Sequence, residues 1–335
     1  MIRLLWLTLT MIILAPSGYA ATAPAPPPLY VEVLGGEEEL VVPPKATLNR
    51  LALERGVKWT MVARENNIPK PYKIKAGMVL KFNTAHIVPM ELGHGFVINL
   101  PELLLYYFKD GVYQRRYALA VGKPSWQTPT GNYHIRNKAV NPTWTVPESI
   151  QEEMFNAGRE VVEKVPPGPK NPLGKFWMGT SAPGVGIHAT NRPWSVGYFV
   201  SHGCIRMLPD EIEQLFPQVE VGLPVKIIYR PVKMAVTPQG RIYLETHPDI
   251  YSKKLDYSQQ VQELAQKYQL TDHIDWEKVP PILKIKDGVA RDITLKPIPP
   301  KPDTIPPKPD TQTAGAEQPR EMGLFPLQER DPKIE

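Results

Sequence analysis

Gly186-Ile187-His188-Ala189-Thr190-Asn191, closed by Tyr198-Phe199-Val200-Ser201-His202-Gly203-Cys204-Ile205-Arg206, contains the single cysteine of the chain, Cys204, beside a histidine and a glycine. A second histidine, His188, stands sixteen positions upstream. A thiol attacks acyl groups as the thiolate, so its pKa must fall from about 8.5 towards neutrality. A neighbouring imidazole can take that proton and later hand it to a leaving amine. Gly203 lets the backbone approach a substrate, and the amides of Gly203 and Cys204 are candidates for stabilising a tetrahedral oxyanion. Pro209-Asp210-Glu211-Ile212-Glu213 puts proline and acids in a first helical turn, so a helix is expected just past Cys204, with its positive end favouring the thiolate. Singly these features are weak. A lone cysteine is most often a small buried hydrophobe, and a lone histidine is more often a satisfied core residue. Their conjunction points to nucleophilic acyl chemistry.

Outward from this stretch the pattern is β-rich from Gly95 to Tyr229. Gly95 to Asn99 and Glu102 to Phe108 read as strands, Asp110-Gly111 as a hairpin turn, and Val112 to Val121 as the returning strand. Thr128-Pro129-Thr130-Gly131 turns the chain into a further strand over Asn132 to Arg136. A polar insertion from Asn141 to Thr180 follows, with a helix expected over Glu148 to Glu163; so long an insertion reads as a lid or binding loop. Beyond Tyr229, a hairpin over Val232 to Val236 and Arg241 to Thr246 precedes an amphipathic helix over Tyr257 to Gln269. Upstream, Leu40-Val41-Val42, two short helices over Thr47 to Leu53 and Trp59 to Asn66, and a strand ending at Phe82 form a compact βααβ unit.

The chain ends bear on compartment. Arg3, the apolar run Leu4 to Ala15, and Gly18 and Ala20 at the −3 and −1 positions read as a cleavable signal peptide; an uncleaved anchor is the alternative. A lone cysteine in an exported chain is a free thiol. The whole sequence of 335 residues is 42% hydrophobic and 22% charged, which excludes wholesale disorder. Its net charge of +5 without a long basic run disfavours nucleic-acid binding and suits a carboxylate-rich partner. Ten of its 39 prolines fall between Pro297 and Glu335, a tail expected to be disordered.

Two resemblances follow from these motifs. His188, twelve intervening residues, and Ser201-His202-Gly203-Cys204-Ile205-Arg206 resemble the catalytic motif of L,D-transpeptidases, with support from Thr128-Pro129-Thr130-Gly131 and Asn171-Pro172-Leu173-Gly174. The arrangement is most similar to the periplasmic Gram-negative enzymes that attach lipoprotein to peptidoglycan. The resemblance implies Cys204 as nucleophile and His188 as its base, oriented through the backbone carbonyl of Ala189. It implies Ser201, His202 and Gly203 around the pocket and oxyanion, Arg206 on a stem-peptide carboxylate, and Trp144, Trp177 and Met178 in a roof over the substrate. The partners implied are peptidoglycan stem peptides and, as one acceptor, an outer-membrane lipoprotein; no metal or cofactor is implied. The N-terminal βααβ unit, with Asn66-Asn67-Ile68 and Ala76-Gly77-Met78, resembles a LysM sugar-binding module.

The expected organisation is therefore a signal peptide over 1–20, a leader over 21–39, a LysM-like module over 40–84, a mainly β catalytic domain over 94–230, a short α+β extension over 231–296, and a tail over 297–335. The module is expected to act as a tethered glycan binder that raises local substrate concentration, leaving a catalytic part starting near His94 self-sufficient. Three alternatives stay open: water resolving the same thioester, as in a carboxypeptidase or hydrolase; a wall-binding protein with an idle Cys204; and a metal site from His188, His202 and Cys204. Oligomeric state is not legible.

Overall fold

The structure, a computed structural model, describes residues 28–299. The expected signal peptide, the leader as far as residue 27, and the tail from residue 300 lie outside the described residues.

The N-terminal part comprises β1 (Val33–Leu34), β2 (Glu37–Val41), α1 (Leu48–Glu54), α2 (Trp59–Glu65), β3 (Val79–Asn83) and β4 (His86–Ile87). The Thr47 hydroxyl caps α1 by accepting from Arg50 N–H at 3.2 Å. Asn66 ends α2 and ties it to β3: its amide donates to Val62 O and Lys81 O and accepts from Lys81 N–H, at 2.7–2.8 Å. Leu48, Leu51, Met61, Val62, Leu80 and Phe82 close a small core.

The central part runs through β5 (Gly95–Asn99), β6 (Leu104–Lys109), β7 (Val112–Gly122), β8 (Gly131–Val140), β9 (Trp144–Thr145), α3 (Glu148–Asn156), β10 (Lys164–Val165), β11 (Phe176–Thr180), β12 (Gly186–His188), β13 (Phe199–Ser201), β14 (Ile205–Met207), α4 (Pro209–Leu215) and β15 (Pro224–Ile228). Asp110 and Gly111 both take positive φ, as a tight hairpin turn requires, and set the β6–β7 register. β7 is long enough to serve two sets of neighbours. Its first half pairs with β6, and its last residues pair with β14 and β13. The sheet order β13-β7-β14-β12-β11-β8-β15-β5-β6 therefore closes on itself through β6–β7, making a barrel with β13 added at β7. Phe96, Ile98, Leu105, Leu119, Ile135, Met178, Ile187, Ile205 and Val225 fill the core with α4, which contributes Ile212 and Leu215. The fold is mainly β, as the alternation predicts. The expected helix over Glu148 to Glu163 stops at Asn156, because the chain turns there and returns as β10 against β9.

The C-terminal part adds β16 (Val232–Val236), β17 (Ile242–Thr246), α5 (Tyr257–Lys267), α6 (Val279–Ile285) and β18 (Arg291–Asp292). Its sheet, ordered β16-β17-β18, packs Met234 and Leu244 against Val261 and Leu264 of α5 and Ile282 of α6.

The expectation of a tethered N-terminal module is corrected here. Leu53 of α1 and Val88 are buried in one cluster with Val97, Tyr106, Val196 and Leu208 of the barrel. Arg50 grips Asp210 of α4 with both guanidinium nitrogens, at 3.2 and 2.5 Å, and Trp59 Nε1 donates to Tyr198 OH at 3.1 Å. Arg64 pairs with Asp287 of the extension at 2.9 Å. These residues lie on the outer faces of α1 and α2, which a self-contained module would leave to solvent.

A buried ionic cluster joins all three parts. Lys233 Nζ lies 2.8 Å from Glu102 Oε1 and 2.9 Å from Glu245 Oε1, and donates to Ile87 O at 2.6 Å. Ile87 N–H donates to Glu245 Oε2 at 2.6 Å. Burial works to raise the Glu245 carboxyl, yet Lys233, His247 and the Ile87 N–H hold it well below the usual carboxylate range.

Candidate active site

β12 and β14 run parallel in a register that sets Ile187 beside Ile205 and His188 beside Arg206. Strand side chains alternate between faces. Ile187 and Ile205 enter the core, and His188 and Arg206 project from the other face. Cys204 immediately precedes β14, and its thiol donates to Gly184 O at 3.4 Å on the turn before β12. On the far side of β12, Trp177 of β11 pairs with His188, and their rings stack at 5.9 Å with an interplanar angle of 27°. The indole donates to Asn137 Oδ1 of β8 at 3.1 Å. A Cβ at Gly186 would lie 2.2 Å from the Trp177 ring, and one at Gly179 would lie 3.0 Å from its Nε1. The two glycines thus form the bed of the indole.

Trp177 consequently lies against the sheet rather than in a roof. Met178 is a second correction: next to Trp177 on β11, it points the opposite way and is fully buried in the core. Trp144 does lie in the insertion, half-buried on β9.

His188 is buried, and its Nδ1 lies 2.5 Å from Ala189 O. A carbonyl only accepts, so Nδ1 bears the proton and Nε2 of the neutral ring is left as the basic nitrogen. Burial, reinforced by the Arg206 charge, lowers the imidazole to about 4, so the ring is neutral at pH 7. The carbonyl that orients it is fixed from behind. Asn171, fully buried, donates to Pro142 O at 2.9 Å and accepts from Leu173 N–H at 2.9 Å. The turn it ties brings Gly174, at φ +64°, against Ala189, where a Cβ would meet Ala189 Cβ at 2.7 Å.

Burial pushes the Cys204 thiol above its ordinary value, against the lowering effects of a Gly186 backbone hydrogen bond and of Arg206. This departs from the expectation of a thiol poised near neutrality. The free protein holds a neutral thiol and a neutral imidazole. α4 does begin past Cys204, at Pro209, separated from it by β14. Alkylation of Cys204 by iodoacetamide is therefore expected to climb with pH through and beyond about 8.5. It should show no plateau near neutrality and no break above pH 5 from His188. A rate that levels off below pH 7 would contradict this electrostatic picture.

The turn from Ser201 to Cys204 is closed by Ser201 Oγ, which donates to Cys204 O at 2.5 Å and accepts from Gly203 N–H at 3.2 Å. Gly203 sits at φ +105°. Its N–H is thus committed to Ser201, which corrects its assignment as an oxyanion donor. Thr128 Oγ1 donates to Gly203 O and accepts from Gly122 N–H, each at 2.9 Å. Tyr251 OH accepts from Thr128 N–H at 3.2 Å and donates to Gly122 O at 2.8 Å. Arg206 Nη1 donates to Ser195 Oγ at 3.3 Å. His202 turns outward: its Nε2 lies 2.9 Å from Glu153 Oε2, and its ring lies 5.4 Å from that of Trp126.

Tyr251, Lys123 and Glu153 belong to none of the sequence motifs quoted above. Thr128 and Asn171 were visible only as members of turn motifs. Among the described residues, Glu102, Glu245 and His247 are near enough together to ligate a metal. Lys233 Nζ already fills the position between their carboxylates that a cation would take.

A family model of the L,D-transpeptidase catalytic domain, YkuD, matches residues 93–227. Over 253 residues the chain is 30% identical to "Probable L,D-transpeptidase YbiS" of Escherichia coli K12, covering 72% of this chain and 82% of that one. The chain belongs to the L,D-transpeptidase family. A second E. coli K12 relative, "Probable L,D-transpeptidase YcfS", is 29% identical over 310 residues, 88% of this chain and 97% of its own. The solved catalytic domain of the Enterococcus faecium L,D-transpeptidase is 26% identical and aligns with 41% of this chain and 99% of its own, at a TM-score of 0.32. The L,D-transpeptidase match begins two residues ahead of β5 and ends within β15, so it spans the closed barrel and every motif residue from His188 to Arg206.

Proposed function

We propose that Cys204 and His188 carry out an acyl transfer on peptidoglycan tetrapeptide stems. The observation that supports this most directly is the 2.5 Å contact of His188 Nδ1 with Ala189 O, which puts the ring proton on Nδ1 and leaves Nε2 as the basic nitrogen. In this reading His188 Nε2 takes the thiol proton as Sγ attacks the carbonyl between diaminopimelate and the terminal D-Ala. The tetrahedral oxyanion is stabilised by the Cys204 N–H. The intermediate collapses, the C–N bond breaks, and His188 returns the proton to the leaving D-Ala amine. An acceptor amine then attacks the thioester, gives its proton to His188 and frees the thiol. Because thiol and imidazole are both neutral at rest, proton transfer accompanies attack rather than preceding it. Arg206 holds a stem carboxylate, and Trp177 walls the pocket.

The acceptor is a second diaminopimelate or a lipoprotein lysine, with water as the hydrolytic alternative. We assign the protein to the periplasm, exported by residues 1–20, and give residues 40–84 a LysM-like glycan-binding role. Mass spectrometry of products from a tetrapeptide donor tests the reading. Cross-linked stems, or a stem joined to a lysine peptide, are expected when the amine is supplied. Tripeptide alone, at every amine concentration, would replace transferase by hydrolase.

A further inference from the structure

Three separate elements bring charge to one point beside the Cys204 turn. Lys123 directly follows β7, His202 lies between β13 and β14, and Glu153 comes from α3 in the insertion. Glu153 Oε2 is 2.9 Å from His202 Nε2, Glu153 Oε1 is 3.7 Å from Lys123 Nζ, and the two nitrogens are 3.5 Å apart. Two donor nitrogens this close, both turned on one carboxylate, are the arrangement that recognises a carboxylate. The turn that presents Lys123 is closed by Trp126 N–H donating to Lys123 O at 2.8 Å, and the Trp126 ring flanks His202.

The carboxylate now in place is weakly held. α3 buries none of its residues, and Phe155 is 74% exposed. Gln151 bonds Val146 within the insertion, whereas Glu153 reaches the barrel. The side chains of Glu153, Lys123 and His202 are 40%, 34% and 26% exposed, and ion pairs so exposed to water contribute little net stability. A donor stem ends in a carboxylate and carries another on diaminopimelate, so it presents the group that Glu153 mimics.

We propose that Lys123 and His202 form a carboxylate subsite beside Cys204, which Glu153 fills in this structure, so that the insertion and a substrate carboxylate compete for one place. The proposal rests on the acyl-transfer reading of the same site. Binding of substrate would release α3, coupling occupancy of the subsite to movement of the insertion.

The test compares alkylation of Cys204 by iodoacetate, which carries a carboxylate, with alkylation by neutral iodoacetamide. Glu153→Gln should raise the iodoacetate-to-iodoacetamide rate ratio about two- to fivefold, and Lys123→Met should lower it by a similar factor. In the Lys123→Met background, Glu153→Gln should change the ratio little, because the place contested no longer exists. Additive effects would reduce the observation to through-space charge and overturn the proposal. With a tetrapeptide donor, Glu153→Gln should lower KM and Lys123→Met should raise it; a higher KM in Glu153→Gln would also overturn it. Repeating the Lys123→Met comparison with the C-terminal amide of the donor identifies the carboxylate. Lost sensitivity assigns the subsite to D-Ala, and retained sensitivity assigns it to diaminopimelate. If no donor thioester forms while the alkylation ratio responds as stated, the subsite stands and the reaction reading falls. If transfer proceeds while the ratio ignores both substitutions, the subsite falls.

Discussion

One covalent carbapenem adduct per chain, on the peptide carrying Cys204, is the expected result of intact-protein mass spectrometry. A carbapenem presents a strained carbonyl in the position of the donor amide, and ring opening drives attack even by a thiol that burial keeps largely protonated. In the proposed mechanism His188 Nε2 accepts the proton in that attack, since Nδ1 is held at Ala189 O. Cys204→Ala should give no adduct. His188→Ala should acylate about 10²- to 10⁴-fold more slowly, the usual contribution of a positioned general base. Cys204→Ser should be nearly inert, because a hydroxyl is a far poorer nucleophile at neutral pH. An adduct persisting in Cys204→Ala would move the chemistry elsewhere.

Starting the chain at His94 is expected to cost the barrel its fold rather than release a working catalytic domain. Such a chain loses Leu53 and Val88 from the cluster that covers Tyr106, Val196 and Leu208. Each large apolar side chain so buried contributes about 1.5–3 kcal/mol, against a total stability of about 5–15 kcal/mol for a domain. It also removes the Ile87 N–H and C=O from Glu245 and Lys233, leaving a buried charge pair short of two hydrogen bonds. Asp210 loses Arg50 one residue into α4, six positions after Cys204. In the full chain, Leu53→Ala alone should lower stability by about 2–5 kcal/mol in urea unfolding. A fragment from His94 that melts at the temperature of the full chain would show the N-terminal part to be an accessory after all.

The sequence carried the barrel strands well where alternation and turn chemistry agree. Gly95 to Asn99 and Val232 to Val236 match strands β5 and β16, and Asp110-Gly111 sits at the hairpin. Closure of the sheet was not legible, because pairing of the last residues of β7 with β14 and β13, beyond its hairpin with β6, depends on strand length shared between partners, not on any local pattern. In the site, the spacing of His188 and Cys204 was visible as a motif; His188 ends β12, and Cys204 immediately precedes β14, its parallel neighbour. Trp177 and Met178 were read together as roof residues, whereas strand periodicity separates them onto opposite faces. Tyr251 had no local signal, because it acts on Thr128 from 123 residues away. Glu153 and Lys123 carry no motif in the sequence and meet only because the insertion folds back against the barrel.

The interlocking of the first and last parts also sets the order in which the molecule can come together. Leu29 N–H donates to Tyr268 OH across 239 residues, and Ile87 meets Glu245 across 158. Contacts so distant along the chain close late and slow folding, since a long loop must be ordered before they reward it. A growing chain makes Leu29 and Ile87 early but cannot secure them until α5 and β17 exist. Synthesis and consolidation therefore run in opposite directions: a chain cut short before Tyr268 leaves Leu29 without that partner, and one cut short before Glu245 leaves Ile87 without its own as well.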